Sequence, residues 1–134
     1  EPLAKMTYLL DTHVLLLWWS KPDKLSPRVL SLVKDRENRL FVSAASAWEI
    51  ATKHRIGKYP QGGRIIEEWS LRLRADRFQE LPITSTHALR AGRLPGAHRD
   101  PFDRMLAAQG LLEDFPVLSA DHAISDLGAP RIWE

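Results

Sequence analysis

Hydrophobic positions along the chain fall in short blocks that alternate between two periods. Thr7-Tyr8-Leu9-Leu10, Leu40-Phe41-Val42 and Pro116-Val117-Leu118 are brief apolar runs that predict buried strands, and Arg131-Ile132-Trp133 predicts a last one. Between them apolar residues recur at helical spacing. Residues 13–20 predict an apolar helix, broken by Lys21-Pro22-Asp23-Lys24. Ser26-Pro27 predicts the next start, with serine as N-cap and proline at the first helical position, and the helix runs through Leu30, Leu32 and Val33. Ser43 opens an alanine-rich helix with Ala47, Trp48, Ile50 and Ala51 on its apolar side. Gly57 ends it, and Lys53, His54 and Arg55 fill the last turn, where the helix dipole favours cations.

The second half continues the pattern. Tyr59 to Gly63 predicts a loop, and residues 64–77 a single amphipathic helix with Ile65, Ile66, Trp69 and Leu73 inward. Residues 78–83 predict an extended segment at a sheet edge, because Pro82 cannot donate to a ladder on both sides. Thr84 or Ser85 caps a helix through Leu89, closed by Leu94-Pro95-Gly96. Asp100-Pro101 begins a strong helix through Met105, Leu106 and Leu111, and Ser119-Ala120-Asp121 leads into a short one ended by Gly128. Strands alternating with helices predict an α/β fold, a mostly parallel sheet with helices on both faces.

Length and composition bound this picture. The 134 residues match one domain, read as 6–134, with residues 1–5 an N-terminal extension ahead of Met6. The absence of cysteine excludes disulfides and thiolate metal sites and suits a reducing cytosol. The longest apolar run, Val14 to Trp19, is too short to span a bilayer, and the N-terminus lacks the order of a secretory signal, so a cytoplasmic protein without membrane partners is expected. A net charge of +2 gives a weak overall field, so attraction to nucleic acid has to come from local clusters.

The candidate chemistry lies in carboxylates placed where strands end or helices begin: Asp11, Glu49, Asp103 and Asp121. The C-terminal ends of strands in an open α/β sheet converge on one crevice. Carboxylates gathered there repel: two charges about 4 Å apart oppose each other by roughly 4 kcal/mol at an effective dielectric of about 20. A hard divalent cation with oxygen ligands relieves that repulsion. Each acid also has a plainer reading. Asp11, Asp100 and Asp121 are good N-caps, Asp103 sits in a first turn where the dipole favours acids, and Glu49 fits the solvated flank of a helix. Glu49 stands out because it lies between Trp48 and Ile50 in an otherwise small and apolar segment.

Leu9-Leu10-Asp11-Thr12-His13, Ser43 to Ile50, His98 to Gln109 and Leu118-Ser119-Ala120-Asp121 together resemble the PIN-domain family, and within it the VapC-type toxins of VapBC toxin–antitoxin pairs. The block Asp100-Pro101-Phe102-Asp103-Arg104 is the most distinctive. The resemblance runs from Tyr8 to about Trp133. It implies a Rossmann-like three-layer α/β/α sandwich and a ribonuclease dependent on Mg²⁺ or Mn²⁺. It places the catalytic acids on Asp11, Glu49, Asp103 and Asp121, with Asp11, Asp103 and Asp121 holding the metal and Asp100 as an extra acid. It also implies an RNA substrate, a VapB-type antitoxin and a homodimer. Two positions depart from the family pattern: Ser119 replaces a threonine but keeps the hydroxyl, and Gly110 replaces an alanine at about 1 kcal/mol in a helix interior.

Substrate phosphates would be met by Lys53, His54, Arg55 and Lys58, and by His98, Arg99 and Arg104; the plainer reading makes these dipole partners and solubilising charges. The five histidines show no paired spacing on one helix face, so no zinc site is read. Trp18 and Trp19 are either a core edge or part of a groove for a partner's helix. Two other functions compete: a PIN-fold module that binds RNA or protein without cutting, and a phosphatase using Asp11 as nucleophile, which wants a second acid where His13 stands.

Overall fold

The computed structural model describes residues 6–134, so the extension over residues 1–5 lies outside the described residues. Five strands, β1 (Thr7–Leu10), β2 (Arg39–Ser43), β3 (Gln79–Leu81), β4 (Val117–Leu118) and β5 (Arg131–Ile132), form one sheet in the order β3-β2-β1-β4-β5. All four pairings are parallel. The segment before Pro82 takes the edge, as its proline predicts.

Among the described residues eight helices connect and cover the strands: α1 (Thr12–Ser20), α2 (Pro27–Lys34), α3 (Ala44–Arg55), α4 (Gly62–Glu67), α5 (Trp69–Ala75), α6 (Ser85–Arg93), α7 (Pro101–Glu113) and α8 (His122–Asp126). A single 3-10 turn, Pro22–Lys24, fills the break after α1. Alternation along each strand sorts side chains into two cores. Leu9, Phe41 and Val117 face a core completed by α6, α7 and α8. Tyr8, Leu10, Leu40, Val42 and Leu118 face the other, completed by α1, α2 and α5. The result is the expected three-layer α/β/α arrangement.

Three expectations need correction. The helix predicted over residues 64–77 is two helices, and α4 begins at Gly62, inside the predicted loop. Glu68 leaves the helical region at φ −100°, ψ 14°. The break re-aims the chain: α4 packs on α3, while α5 packs on β3. Ile66, expected inward, is therefore exposed. Gly62 allows the first of these contacts, since a Cβ there would lie 3.0 Å from Tyr59 Cδ2 and 3.2 Å from His54 Cβ.

The buried stripe of α3 is Ala45, Ser46, Glu49 and Ile50. Trp48 and Ala51, expected on the apolar side, are exposed, and Trp48 lies edge-on to Phe102 with ring centroids 4.6 Å apart. The hydrophobic period misled because small polar residues share the buried face: Ser46 and Thr12 bond through their hydroxyls at 2.7 Å, fastening α3 to α1.

Gly110 is no defect of α7. A Cβ at this position would lie 2.8 Å from Val117 Cγ2 and 3.1 Å from the Phe115 carbonyl oxygen. The helix and β4 approach too closely for any side chain, so packing overrides helix propensity.

Candidate metal and nucleic-acid cleft

The strand order places the topological switch between β1 and β4, because the chain leaves β1 toward β2 and β3 and returns to β4 on the other side. Open α/β sheets bind ligands outside the carboxyl ends of strands at such a point. Asp11 follows β1 and Asp121 lies just beyond β4, so the two flank it. One cleft here is lined by Asp11, Glu49, Asp100, Asp103 and Asp121, brought from four separate segments. The structure gathers every acid singled out in the sequence.

Each acid is positioned by local chemistry. Asp11 is buried, caps α1 at His13 N (3.5 Å) and accepts the Ser119 hydroxyl on Oδ2 at 2.5 Å. Ser119 in turn accepts from the Asp121 backbone N–H at 2.9 Å, so one hydroxyl ties the ends of β1 and β4 together. Asp121 caps α8 at Ala123 N (2.9 Å). Asp100 caps α7, its Oδ1 accepting from Phe102 N at 2.8 Å and Asp103 N at 3.1 Å. Asp103, one turn in, is half-buried and paired with His98 Nε2 at 3.0 Å. Glu49 is buried in α3, with Lys53 Nζ on its Oε2 at 2.5 Å. The capping readings of Asp11, Asp100 and Asp121 therefore hold alongside their placement in the cleft.

Crowding shifts the protonation of these groups. Burial pushes the Asp11 carboxyl above its ordinary range; the charges of Glu49 and Asp121 push the same way, against the Ser119 and His13 hydrogen bonds. Asp103 rises to about 6, chiefly by burial and then by Asp100, Asp121 and Asp11, against the His98 bond. His98 is raised, mainly by that same hydrogen bond. Hard-oxygen donors that repel one another are the chemistry a divalent cation of the Mg²⁺ or Mn²⁺ type relieves, so the donor set fits such an ion. As the side chains are oriented, no three acidic or histidine groups among the described residues converge on one point. Glu49 is turned onto Lys53 and Asp103 onto His98.

The cations divide. Lys21, Lys53, Lys58, Arg64 and Arg72 line the cleft with Leu16, Trp19 and Tyr59. Arg104 does not: its Nε donates to Ala91 O at 2.9 Å, Nη1 to His98 O at 2.8 Å and Nη2 to Leu94 O, so it staples the loop between α6 and α7. Arg99 is exposed outside the lining. In the sequence Lys21, Arg64 and Arg72 look like ordinary surface charge, and only the folded cleft sets them apart. Trp18 and Trp19 form a core edge: both indole N–H groups donate to Asp76 Oδ2, at 3.3 and 2.7 Å, and Trp19 meets Trp69 edge-on.

The sequence model of the PIN domain matches residues 8–130. The chain belongs to the PIN-domain family. Solved structures of similar fold include VapBC2 of Rickettsia felis bound to a DNA fragment from its promoter (TM-score 0.69, 16% identity, covering 96% of this chain and 100% of that one). VapBC-1 of nontypeable Haemophilus influenzae gives a TM-score of 0.61 at 22% identity, covering 95% and 97%. FitAcB of Neisseria gonorrhoeae gives 0.60 at 17%, covering 95% and 96%. No curated protein sequence matches the chain. Within this PIN domain no helix among the described residues is long and apolar enough to cross a membrane.

Proposed function

We propose that this PIN domain is a divalent-metal-dependent endoribonuclease, the VapC-type toxin of a toxin–antitoxin pair. The observation that carries the reading is the gathering of Asp11, Glu49, Asp100, Asp103 and Asp121 in one cleft at the switch point. Family membership supports it, since PIN domains are in general nucleases.

Asp11, Asp103 and Asp121 would hold the ion, with Asp100 at its margin. A bound Mg²⁺ or Mn²⁺ acidifies water at the site and offsets charge on the scissile phosphate. Ser119 holds Asp11 in position, and its acceptance from the Asp121 backbone keeps the two acids in register. Glu49 would orient the attacking water by accepting a hydrogen bond from it. Lys21 and Lys58, on the wall of the cleft, attract the phosphates on either side of the cut, with a salt-dependent and largely sequence-independent affinity. The likeness to VapBC assemblies supports a VapB-type antitoxin as partner, and a homodimeric toxin is part of the same proposal. The protein would act in the cytoplasm.

The experiment is incubation of the purified chain with total RNA in Mg²⁺, in Mn²⁺ and in EDTA. Cleavage in either ion that stops in EDTA, and that co-expressed antitoxin abolishes, is expected. The non-cleaving alternative draws support from the present orientation of Glu49 and Asp103 toward Lys53 and His98. RNA retention without cleavage in all three conditions would establish it.

A further inference from the structure

Among the cations of the cleft, Lys53 has no part in the proposed chemistry yet is bonded to one of its acids. Lys53 lies one turn beyond Glu49 on α3 and donates to Glu49 Oε2 at 2.5 Å. Glutamate and lysine at this spacing commonly pair on solvated helix faces. Here the acid is different: the Glu49 side chain is 10% exposed and forms part of the cleft wall, while Lys53 is 46% exposed and lines the same cleft. A buried carboxylate requires a compensating partner, and Lys53 supplies it. Its ammonium also lies within electrostatic reach of Asp100 and Asp103.

The acids near β1 and β4 are served otherwise. The Asp11 carboxylate accepts only from the Ser119 hydroxyl and the His13 backbone, and the Asp121 carboxylate only from the Ala123 backbone, among the described residues. Neither has an ion-pair partner there. Glu49 thus already holds a cation on its carboxylate, whereas among the described residues no cation is paired with Asp11 or Asp121.

We infer that Lys53 takes the place of a second cation beside Glu49, so that the cleft binds one divalent ion, on the Asp11–Asp121 side. Lys53 is then a positioning residue for Glu49 and not a phosphate contact, which revises the role read for it in the sequence. The inference rests on the metal-dependent reading above.

The test counts ions on the full chain without RNA. Mn²⁺ is titrated and followed by electron paramagnetic resonance, with calorimetry as a second count. One Mn²⁺ per chain is expected for the wild type and for K53R, which keeps a cation beside Glu49. Two are expected for K53M, and one again for K53M/E49Q, which removes the acid that the second ion would need. Two ions on the wild type, or a single ion on folded K53M, overturns the inference alone. No ion on the wild type overturns the metal-dependent reading and this inference together. A second measurement needs no variant: the ¹⁵N resonance of the hydrogen-bonded Lys53 ammonium persists when the wild type is saturated with Mg²⁺. Its loss on Mg²⁺ addition means that an ion has displaced Lys53 from Glu49, and the inference falls.

Discussion

Ser119 donates its hydroxyl to Asp11 Oδ2 at 2.5 Å, across a separation of 108 positions in the chain. Both residues are buried, and Ser119 Oγ also accepts from Asp121 N. This one side chain aligns two acids from two strands at the switch point. Ser119→Ala leaves Asp11 without its hydroxyl donor and Asp121 N without its acceptor. A loss of about 1–3 kcal/mol in unfolding free energy is expected, the range for stranding buried partners of a hydrogen bond. RNA cleavage falls as well, and Ser119→Thr restores both. Denaturant unfolding that shows no change in S119A would refute the tie.

Asp11→Asn tests the acid itself. Asparagine caps a helix as well as aspartate does, so α1 keeps its start. The Asp11 carboxyl is raised above 3.8 in the folded chain, so its favourable contribution is complete below that value and is lost as pH climbs through the raised one. In EDTA at neutral pH the charge is therefore a burden. D11N should melt higher than the wild type there, with the gap closing toward pH 4, while cleavage is abolished. Undiminished cleavage by D11N would end the catalytic assignment.

Asp103 gives a defined window. Its carboxyl is raised from 3.8 to about 6, so its contribution to stability declines as pH rises between those values. His98, raised above 6.5, adds a further decline at higher pH, once it loses its proton. Melting temperature in EDTA, measured across this range, should fall relative to D103N, which lacks the first step. Ion binding has the opposite sign, because protons and the ion compete for the carboxylate. Mn²⁺ affinity should therefore weaken as pH drops through about 6. A pH-independent affinity between 5 and 7, measured by calorimetry, would remove Asp103 from the ligand set.

Gly110→Ala sets propensity against packing. In an exposed helix interior the change would be worth about 1 kcal/mol in favour of alanine. Here the new methyl meets Val117 and the Phe115 carbonyl, and overpacking of this kind costs about 1–3 kcal/mol. G110A should therefore unfold at lower denaturant than the wild type. A more stable G110A would show that α7 and β4 can separate without penalty.

Local order determined most of what the chain could announce about itself. Strands at Tyr8, Phe41 and Val117, the edge placement required by Pro82 and the caps at Ser26 and Asp100 all follow from neighbours within a few positions, and the structure has each of them. The acids could be singled out one by one for the same reason, because each stands at a junction visible in the pattern. Lys53 was also within reach, since a lysine four positions after a glutamate on a helix is a spacing that sequence displays.

Tertiary structure alone decided how these pieces meet. The break at Glu68 exists because α4 and α5 pack on different neighbours, which no local period records. The sites of Trp48 and Gly110 were set by partners 54 and 7 positions away, Phe102 and Val117. Arg104 looked free for phosphate until three backbone carbonyls closed around it. Distances between residues far apart in the chain are fixed by packing density and strand order, not by adjacency. That is why the sequence could nominate Asp11, Glu49, Asp103 and Asp121, and only the folded sheet could put them in one cleft.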